Sequence, residues 1–166
     1  FTRKFWRDSA FPVIVDASAL DWLPLGSVPK NYIRVMTPHP GEAARLLKCT
    51  PQQVQADRGR AVREISSRFG NVWVVLKGQH TLVGRSEGPI YVNPSGNPHL
   101  AQGGSGDLLA GFIAGLFAQP EWQGDPARTL AYAVWQHGAA ADALHARCTN
   151  WIVEDLAAVI GGIRPA

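Results

Sequence analysis

Residues 103–107, Gly-Gly-Ser-Gly-Asp, run directly into Leu-Leu-Ala-Gly-Phe-Ile-Ala-Gly-Leu-Phe at 108–117. A segment with no polar side predicts a helix buried on most faces, so the rest of the chain must fold around it. Its apolar run, Leu108 to Ala118, contains Gly111 and Gly115. It is well short of the roughly 20 residues that cross a bilayer, and a soluble domain with no membrane partner is expected. The glycines at the helix start leave backbone N–H groups open to close approach. With the partial positive charge of a helix N-terminus, those amides make a site for a phosphate.

What surrounds that helix is legible upstream. Pro12 to Asp16, Tyr32 to Met36 and Val72 to Leu76 are short β-branched runs that read as buried strands. Between them, Glu42 to Lys48 is helical in composition, and Thr50-Pro-Gln-Gln53 offers an N-cap, a first-turn proline and a capping-box glutamine. The apolar positions Val54, Ala61, Val62, Ile65 and Phe69 predict one amphipathic helix ending at Gly70-Asn71. Thr81 to Gly84 and Ile90 to Asn93 predict a hairpin or sheet edge, Pro94 to Gly106 a loop, and most of Asp107 to Ile163 closely packed helices rich in alanine and glycine. Strands alternating with helices predict a layered α/β fold with a largely parallel central sheet. Ligands bind such sheets at the carboxyl ends of strands, which would set Asp16, His39 and Lys77 on one rim.

Composition removes several other classes. The chain has 166 residues, of which 46% are hydrophobic and 17% charged, too apolar for disorder and enough for one domain core. The formal charge is +3, but the cations are scattered. Arg58, Arg60, Arg63 and Arg68 share a predicted helix with Asp57 and Glu64, which reads as a solvated face, and no aromatic platform accompanies them, so no nucleic-acid partner is expected. Cys49 and Cys148 lie far apart with no metal-ligand spacing, which suits reduced thiols in the cytoplasm.

Asp107 bears most directly on chemistry. A carboxylate weakens a site meant only to bind phosphate, but it can take the proton of a hydroxyl that attacks a phosphoryl group while backbone amides stabilise the transferring charge. It can equally cap the helix, and the pentapeptide leaves both readings open. No Lys-Ser or Lys-Thr pair follows the glycines, so this is not the Gly-x-x-x-x-Gly-Lys-Ser/Thr phosphate loop. Nor does it have the strand and downstream acid of a Rossmann fingerprint.

Four blocks in order, VDASAL at 15–20, TPHPGEAARLL at 37–47, LKGQHTLV at 76–83 and GNPHLAQGGSGDLLAGFIAGLFAQ at 96–119, resemble the NAD(P)H-hydrate dehydratases of the ribokinase-like superfamily. The resemblance implies a ribokinase-like layered fold, with residues 1–166 forming the C-terminal portion of a single domain whose N-terminal part is missing from this stretch. It also implies ADP- or ATP-dependent dehydration of the S epimer of NADHX or NADPHX, by phosphorylation of the ring hydroxyl and elimination of phosphate. Asp107 would be the catalytic base and touch the hydrate, together with His39 and Asn97. Lys77, Gly78, Gln79, His80 and Thr81, with Gly103, Gly104, Ser105 and Gly106, would bind the nucleotide.

Glu42 would organise Mg2+, although a first-turn glutamate favoured by the helix dipole reads equally well, and Asp16 and Asn97 could each serve a turn. Ser18, Gln79 and His80 depart from residues common in the family. A homo-oligomer is implied, fused to or working with an epimerase. A ribokinase-like kinase of a vitamin precursor or sugar would share GGSGD, but TPHPGE argues against it. A nucleotide-binding fragment without activity is the reading left if the site needs the missing part.

Overall fold

The computed structural model describes residues 2–28 and 32–164. A first helix, α1 (Thr2–Asp8), leads into β1 (Val13–Val15), and β2 follows at Arg34–Met36. Three helices, α2 (Pro40–Leu47), α3 (Pro51–Ala56) and α4 (Arg58–Arg68), precede β3 (Trp73–Leu76), β4 (Leu82–Gly84) and β5 (Tyr91–Val92). The chain then turns helical, as α5 (Ser105–Phe117), α6 (Pro126–His145) and α7 (Val153–Val159). The five strands lie in sequence order across one sheet. β1, β2 and β3 pair in parallel, β4 runs against β3 and β5 against β4, so four of the five strands point the same way.

The pleat sorts the core into two layers. Val13, Val15, Met36, Val74, Leu76 and Leu82 face α2 to α4, where they pack with Val54, Val62, Ile65 and Phe69. Val35, Val75 and Val83 face the opposite way, against Leu109, Ile113 and Phe117 of α5 and Leu130 and Val134 of α6. Val35, Met36, Val74, Val75 and Leu76 are all fully buried, which is why these strands read as continuous apolar runs rather than alternating ones.

Several expectations need correction. Val54 and Phe69 do not share one helix, because the chain breaks at Asp57, whose side chain accepts the Arg60 N–H at 2.8 Å and caps α4. The capping box at Thr50 does form, with Gln53 N–H donating to the hydroxyl and Thr50 N–H to Gln53 Oε1. Helix α5 is buried on one face only. Ser105, Leu109, Ile113, Leu116 and Phe117 are covered, while Gly111, Ala114 and Gly115 are exposed, since residues this small add little apolar area to be hidden. It also begins two residues earlier than expected, at Ser105 rather than Asp107.

Only Arg60 of the four arginines on α4 fits a plainly solvated face. Arg58 donates to carbonyls of residues 76–80, Arg63 to those of Arg85, Ser86 and Gly88, and Arg68 to Leu46 O as well as to Glu64. Helix α1, which no sequence signal announced, is held by Arg34. That buried guanidinium leaves β2 and donates to the carbonyls of Trp6, Ser9, Phe11 and Ile33. Among the described residues no helix is long and apolar enough to cross a membrane.

Candidate phosphate site

The parallel register Val15, Met36, Val74 brings the carboxyl ends of β1, β2 and β3 to one rim. Asp16, the segment from Thr37 to Glu42, and Lys77 therefore converge there. Lys77 Nζ donates to Asp16 Oδ1 at 2.7 Å and lies 3.9 Å from Glu42 Oε2. Side-chain exposure is 17% for Lys77, 13% for Asp16 and 7% for Glu42, so all three charges sit where water screens them weakly. This ammonium also reaches α5: a Cβ placed on Gly106 would be 3.0 Å from Lys77 Nζ. Glycine at 106 thus lets a fixed cation stand against the first turn of the helix.

That first turn is prepared for an anion. Gly104 adopts φ 86° as the N-cap, a conformation that side chains resist, and it turns the chain abruptly into α5. The Ser105 N–H bonds to Gln102 O, and Leu108 N–H to Gly104 O. The N–H groups of Gly106 and Asp107 have no partner among the described residues, as expected for a helix start. Asp107 is exposed, and the helix receives no side-chain cap, so its carboxylate is free of the capping bond that the sequence left open.

At the second strand end, proline is tolerated at the first helical position, so α2 starts at Pro40 rather than Glu42 and His39 becomes its N-cap. His39 Nδ1 accepts from Gly41 N–H at 3.0 Å and from Glu42 N–H at 3.4 Å, while Glu42 Oε2 accepts from His39 N–H at 2.7 Å. An imidazole that accepts at Nδ1 carries its proton on Nε2, and that N–H lies 3.5 Å from Glu42 Oε1 on a side chain that is 53% exposed. Glu42 is occupied by His39 N–H and by Lys77. Among the described residues, no group of three or more His, Cys, Asp or Glu side chains is arranged to hold a metal ion.

A cleft of about 690 Å³ opens between the β3–β4 loop, the chain from Asn93 to Gln102, and helices α5 and α6. His39, Lys77, Gly78, Gln79, His80, Thr81, Asn97, Ser105 and Gly106 line it; Gly103, Gly104, Asp107 and Glu42 do not. Lys77 is in that lining and no carboxylate is, which suits an anionic ligand. Asn97 spends its side chain locally, with Oδ1 accepting from His99 N–H at 3.1 Å and Nδ2 donating to Asp142 Oδ1 at 2.9 Å.

His137 completes the cleft from α6. It is buried on α6, with Nε2 3.0 Å from the Ser105 carbonyl and 3.3 Å from its hydroxyl. Burial, chiefly, pulls its pKa down to about 4, with the nearby Lys77 charge adding and the Ser105 hydrogen bond opposing. The ring is therefore neutral at physiological pH and donates Nε2–H to Ser105 O. A lone imidazole in an alanine-rich helix was the signal available.

The mixed sheet with helices on both faces is ribokinase-like: it superposes on a ribokinase-like superfamily protein of Enterococcus faecalis with a TM-score of 0.69 at 28% identity, covering 91% of this chain and 51% of that chain. Residues 2–160 match the profile of the family described as NAD(P)H-hydrate dehydratase, and the chain belongs to that family. It is 50% identical over 139 residues to the ADP-dependent (S)-NAD(P)H-hydrate dehydratase of Neisseria meningitidis, covering 80% of this chain and 45% of that protein. It is 42% identical over 147 residues to the bifunctional NAD(P)H-hydrate repair enzyme of Gloeobacter violaceus, covering 86% of this chain and 27% of that one. The ADP/ATP-dependent NAD(P)H-hydrate dehydratase of Bacillus subtilis, crystallised with ATP and Mg2+, superposes with a TM-score of 0.80 at 31% identity, covering 92% of this chain and 53% of that chain. The chain thus spans about half or less of the length of the relatives it matches.

Proposed function

We propose that the protein carrying this chain repairs hydrated nicotinamide cofactors, converting the S epimers of NADHX and NADPHX to NADH and NADPH at the expense of ADP or ATP, and that residues 1–166 are the C-terminal portion of its single catalytic domain. The observation that carries the reading is the convergence at α5. There a cation fixed by Asp16 and Glu42 stands against Gly106, and among the described residues two helix-start amides have no partner and the Asp107 carboxylate makes no capping bond.

Asp107 takes the proton of the ring hydroxyl as that oxygen attacks the terminal phosphoryl group of the nucleotide. Lys77 and the unpaired amides of Gly106 and Asp107, at the end of the Gly103 to Gly106 turn that holds the nucleotide, offset the charge that gathers on the transferring group. The C–O bond then breaks and phosphate departs, pushed by the enamine nitrogen of the reduced ring, and the adjacent ring carbon gives up a proton to form the double bond of NADH or NADPH; hydroxide in place of phosphate would be a poor leaving group. Gly78, Gln79, His80 and Thr81 hold the nucleotide along the cleft wall. His39 contacts the hydrate from the cleft wall, and Asn97 shapes the wall of the substrate pocket.

The carboxylates fit magnesium only through water, because Glu42 and Asp16 are engaged by Lys77 and His39. The ion would neutralise nucleotide phosphates, with Glu42 orienting its water shell. A cytoplasmic homo-oligomer, fused to or acting beside an epimerase, completes the proposal, and bifunctional repair enzymes among the relatives support that pairing.

The test is to mix the intact protein with NADH hydrate, Mg2+ and ADP or ATP, and follow the return of reduced-nicotinamide absorbance. Asp107→Asn should bind nucleotide normally and lose turnover by at least about 100-fold, the usual scale for a general base. No recovery with the parent protein sinks the dehydratase reading, and normal turnover in the variant sinks the assignment of Asp107.

A further inference from the structure

The β3–β4 loop has an unusual partner. Arg58, the first residue of α4, reaches across to it and donates Nη1 to the carbonyls of Gln79 and His80, the latter at 3.3 Å, and Nη2 to those of Leu76 at 3.0 Å and Lys77 at 3.4 Å. Four acceptors from one five-residue stretch converge on a single guanidinium. The carbonyls come from a backbone bent to present them, with φ of 131° at Gly78 and 53° at His80. A side chain at Gly78 would place its Cβ 3.3 Å from Arg58 Nη2, so glycine there gives the guanidinium its close seat. Arg58 is half-buried and has no acidic partner among the described residues, so its hydrogen bonding is committed to this loop.

The consequence lies on the other side of each peptide. The chain contains no cis bond among the described residues, and in a trans peptide the N–H points opposite to the C=O. Drawing the carbonyls of Lys77, Gln79 and His80 toward Arg58 therefore turns the N–H groups of Gly78, His80 and Thr81 away from it. None of those three has a hydrogen-bond partner among the described residues, and all three residues line the cleft. The peptide bearing the Leu76 carbonyl is fixed at its other end as well, since Lys77 N–H donates to Pro38 O at 2.9 Å. A guanidinium bonded to the acceptor end of a peptide also polarises it, making its N–H a better donor.

We propose that Arg58 is the positioning residue of the nucleotide loop: it gathers the carbonyls of residues 76–80 on one side so that the amides of Gly78, His80 and Thr81 face the cleft as a row of donors for an anionic oxygen of the nucleotide. Lysine cannot replace it, because one ammonium nitrogen does not span acceptors spread along a loop as a planar fork does. The proposal rests on the reading of the cleft as a nucleotide site.

The test compares the intact parent with Arg58→Ala and Arg58→Lys, each checked for parental circular dichroism. Without nucleotide, amide hydrogen exchange at Lys77, whose N–H donates to Pro38 O, should rise in both variants while exchange across α5 stays unchanged. Calorimetric affinity for ADP or ATP should fall by about tenfold or more, equivalent to roughly 1.4 kcal/mol. In turnover, KM for the nucleotide should rise while kcat and KM for the hydrate hold, and added guanidinium ion should restore part of the affinity of Arg58→Ala. Parental exchange and affinity in a folded variant overturn the proposal. If Arg58→Ala does not fold, Arg58→Lys alone decides between the same two outcomes. A parent that binds neither nucleotide overturns the underlying reading too, and it is recognised because the parent rather than the variant fails.

Discussion

Gly138 sits in the middle of α6, where glycine costs about 0.8–1.0 kcal/mol relative to alanine on helix propensity alone. Propensity therefore predicts that Gly138→Ala stabilises the protein. The surroundings predict the opposite. A Cβ at 138 would lie 2.4 Å from Ser95 Oγ and 2.7 Å from both Ser95 C and O, so the loop must retreat about 0.7 Å (3.4 minus 2.7 Å) to reach ordinary contact. The hydroxyl can swing aside only by giving up the hydrogen bond of its single proton, which Trp135 O at 3.0 Å and Asn93 Oδ1 at 3.1 Å share, roughly 1 kcal/mol. The backbone atoms cannot swing at all.

Overpacking of this kind costs about 1–3 kcal/mol and the lost hydroxyl bond about 1 more, so after the propensity gain the net effect is a loss of about 2 kcal/mol, or roughly 4–8 °C in Tm for a chain of this size. Gly111 and Gly115 of α5 provide the control, because nothing lies within 4 Å of a Cβ at either. Alanine at those positions should stabilise by up to about 1 kcal/mol. Thermal and urea denaturation of the three variants decides the matter. A Gly138→Ala protein as stable as its parent, or more so, would refute the close packing of α6 on the Ser95 loop.

Two further outcomes are expected. Lys77→Met leaves Asp16 and Glu42 without their shared cation and should cost about 2–4 kcal/mol by urea denaturation, below the full penalty for a buried pair because Glu42 keeps the His39 N–H and Asp16 is partly wet; parental stability in that variant would mean the triad contributes nothing. His137, with its pKa near 4 when folded and about 6.5 when unfolded, binds its proton more readily in the unfolded chain. Stability should therefore be complete above pH 6.5 and fall as pH drops toward 4, by up to about 3 kcal/mol. His137→Gln, which keeps a donor for Ser105 O, should flatten that acid limb, and an unchanged limb would trace the pH dependence to other groups.

The parts of this fold that sequence reveals are those set by local chemistry or by period. Val13–Val15, Arg34–Met36 and Trp73–Leu76 were legible because β-branched runs between prolines and glycines have few other uses, and once they are parallel, the meeting of Asp16 with Lys77 follows from topology. The break at Asp57 was hidden because Val54 and Ala61 keep the same helical phase across it; the backbone leaves the helix at that one residue, φ −146° and ψ 81°, where its carboxylate accepts Arg60 N–H. The exposed side of α5 was hidden because glycine and alanine count as apolar while having almost no area to bury.

Arg34, Arg58 and His137 share a deeper reason. Each serves distant backbone carbonyls, and a carbonyl is present at every residue, so no residue type at the other end marks the partner. Arg58 read as one more cation on a solvated face because its acceptors, 18 to 22 residues away, are peptide groups. Side chains that shape a cleft through the main chain of another segment leave no pattern of spacing, which is why the sequence points to Lys77 and the glycines at the cleft and is silent on Arg58 and His137 behind them.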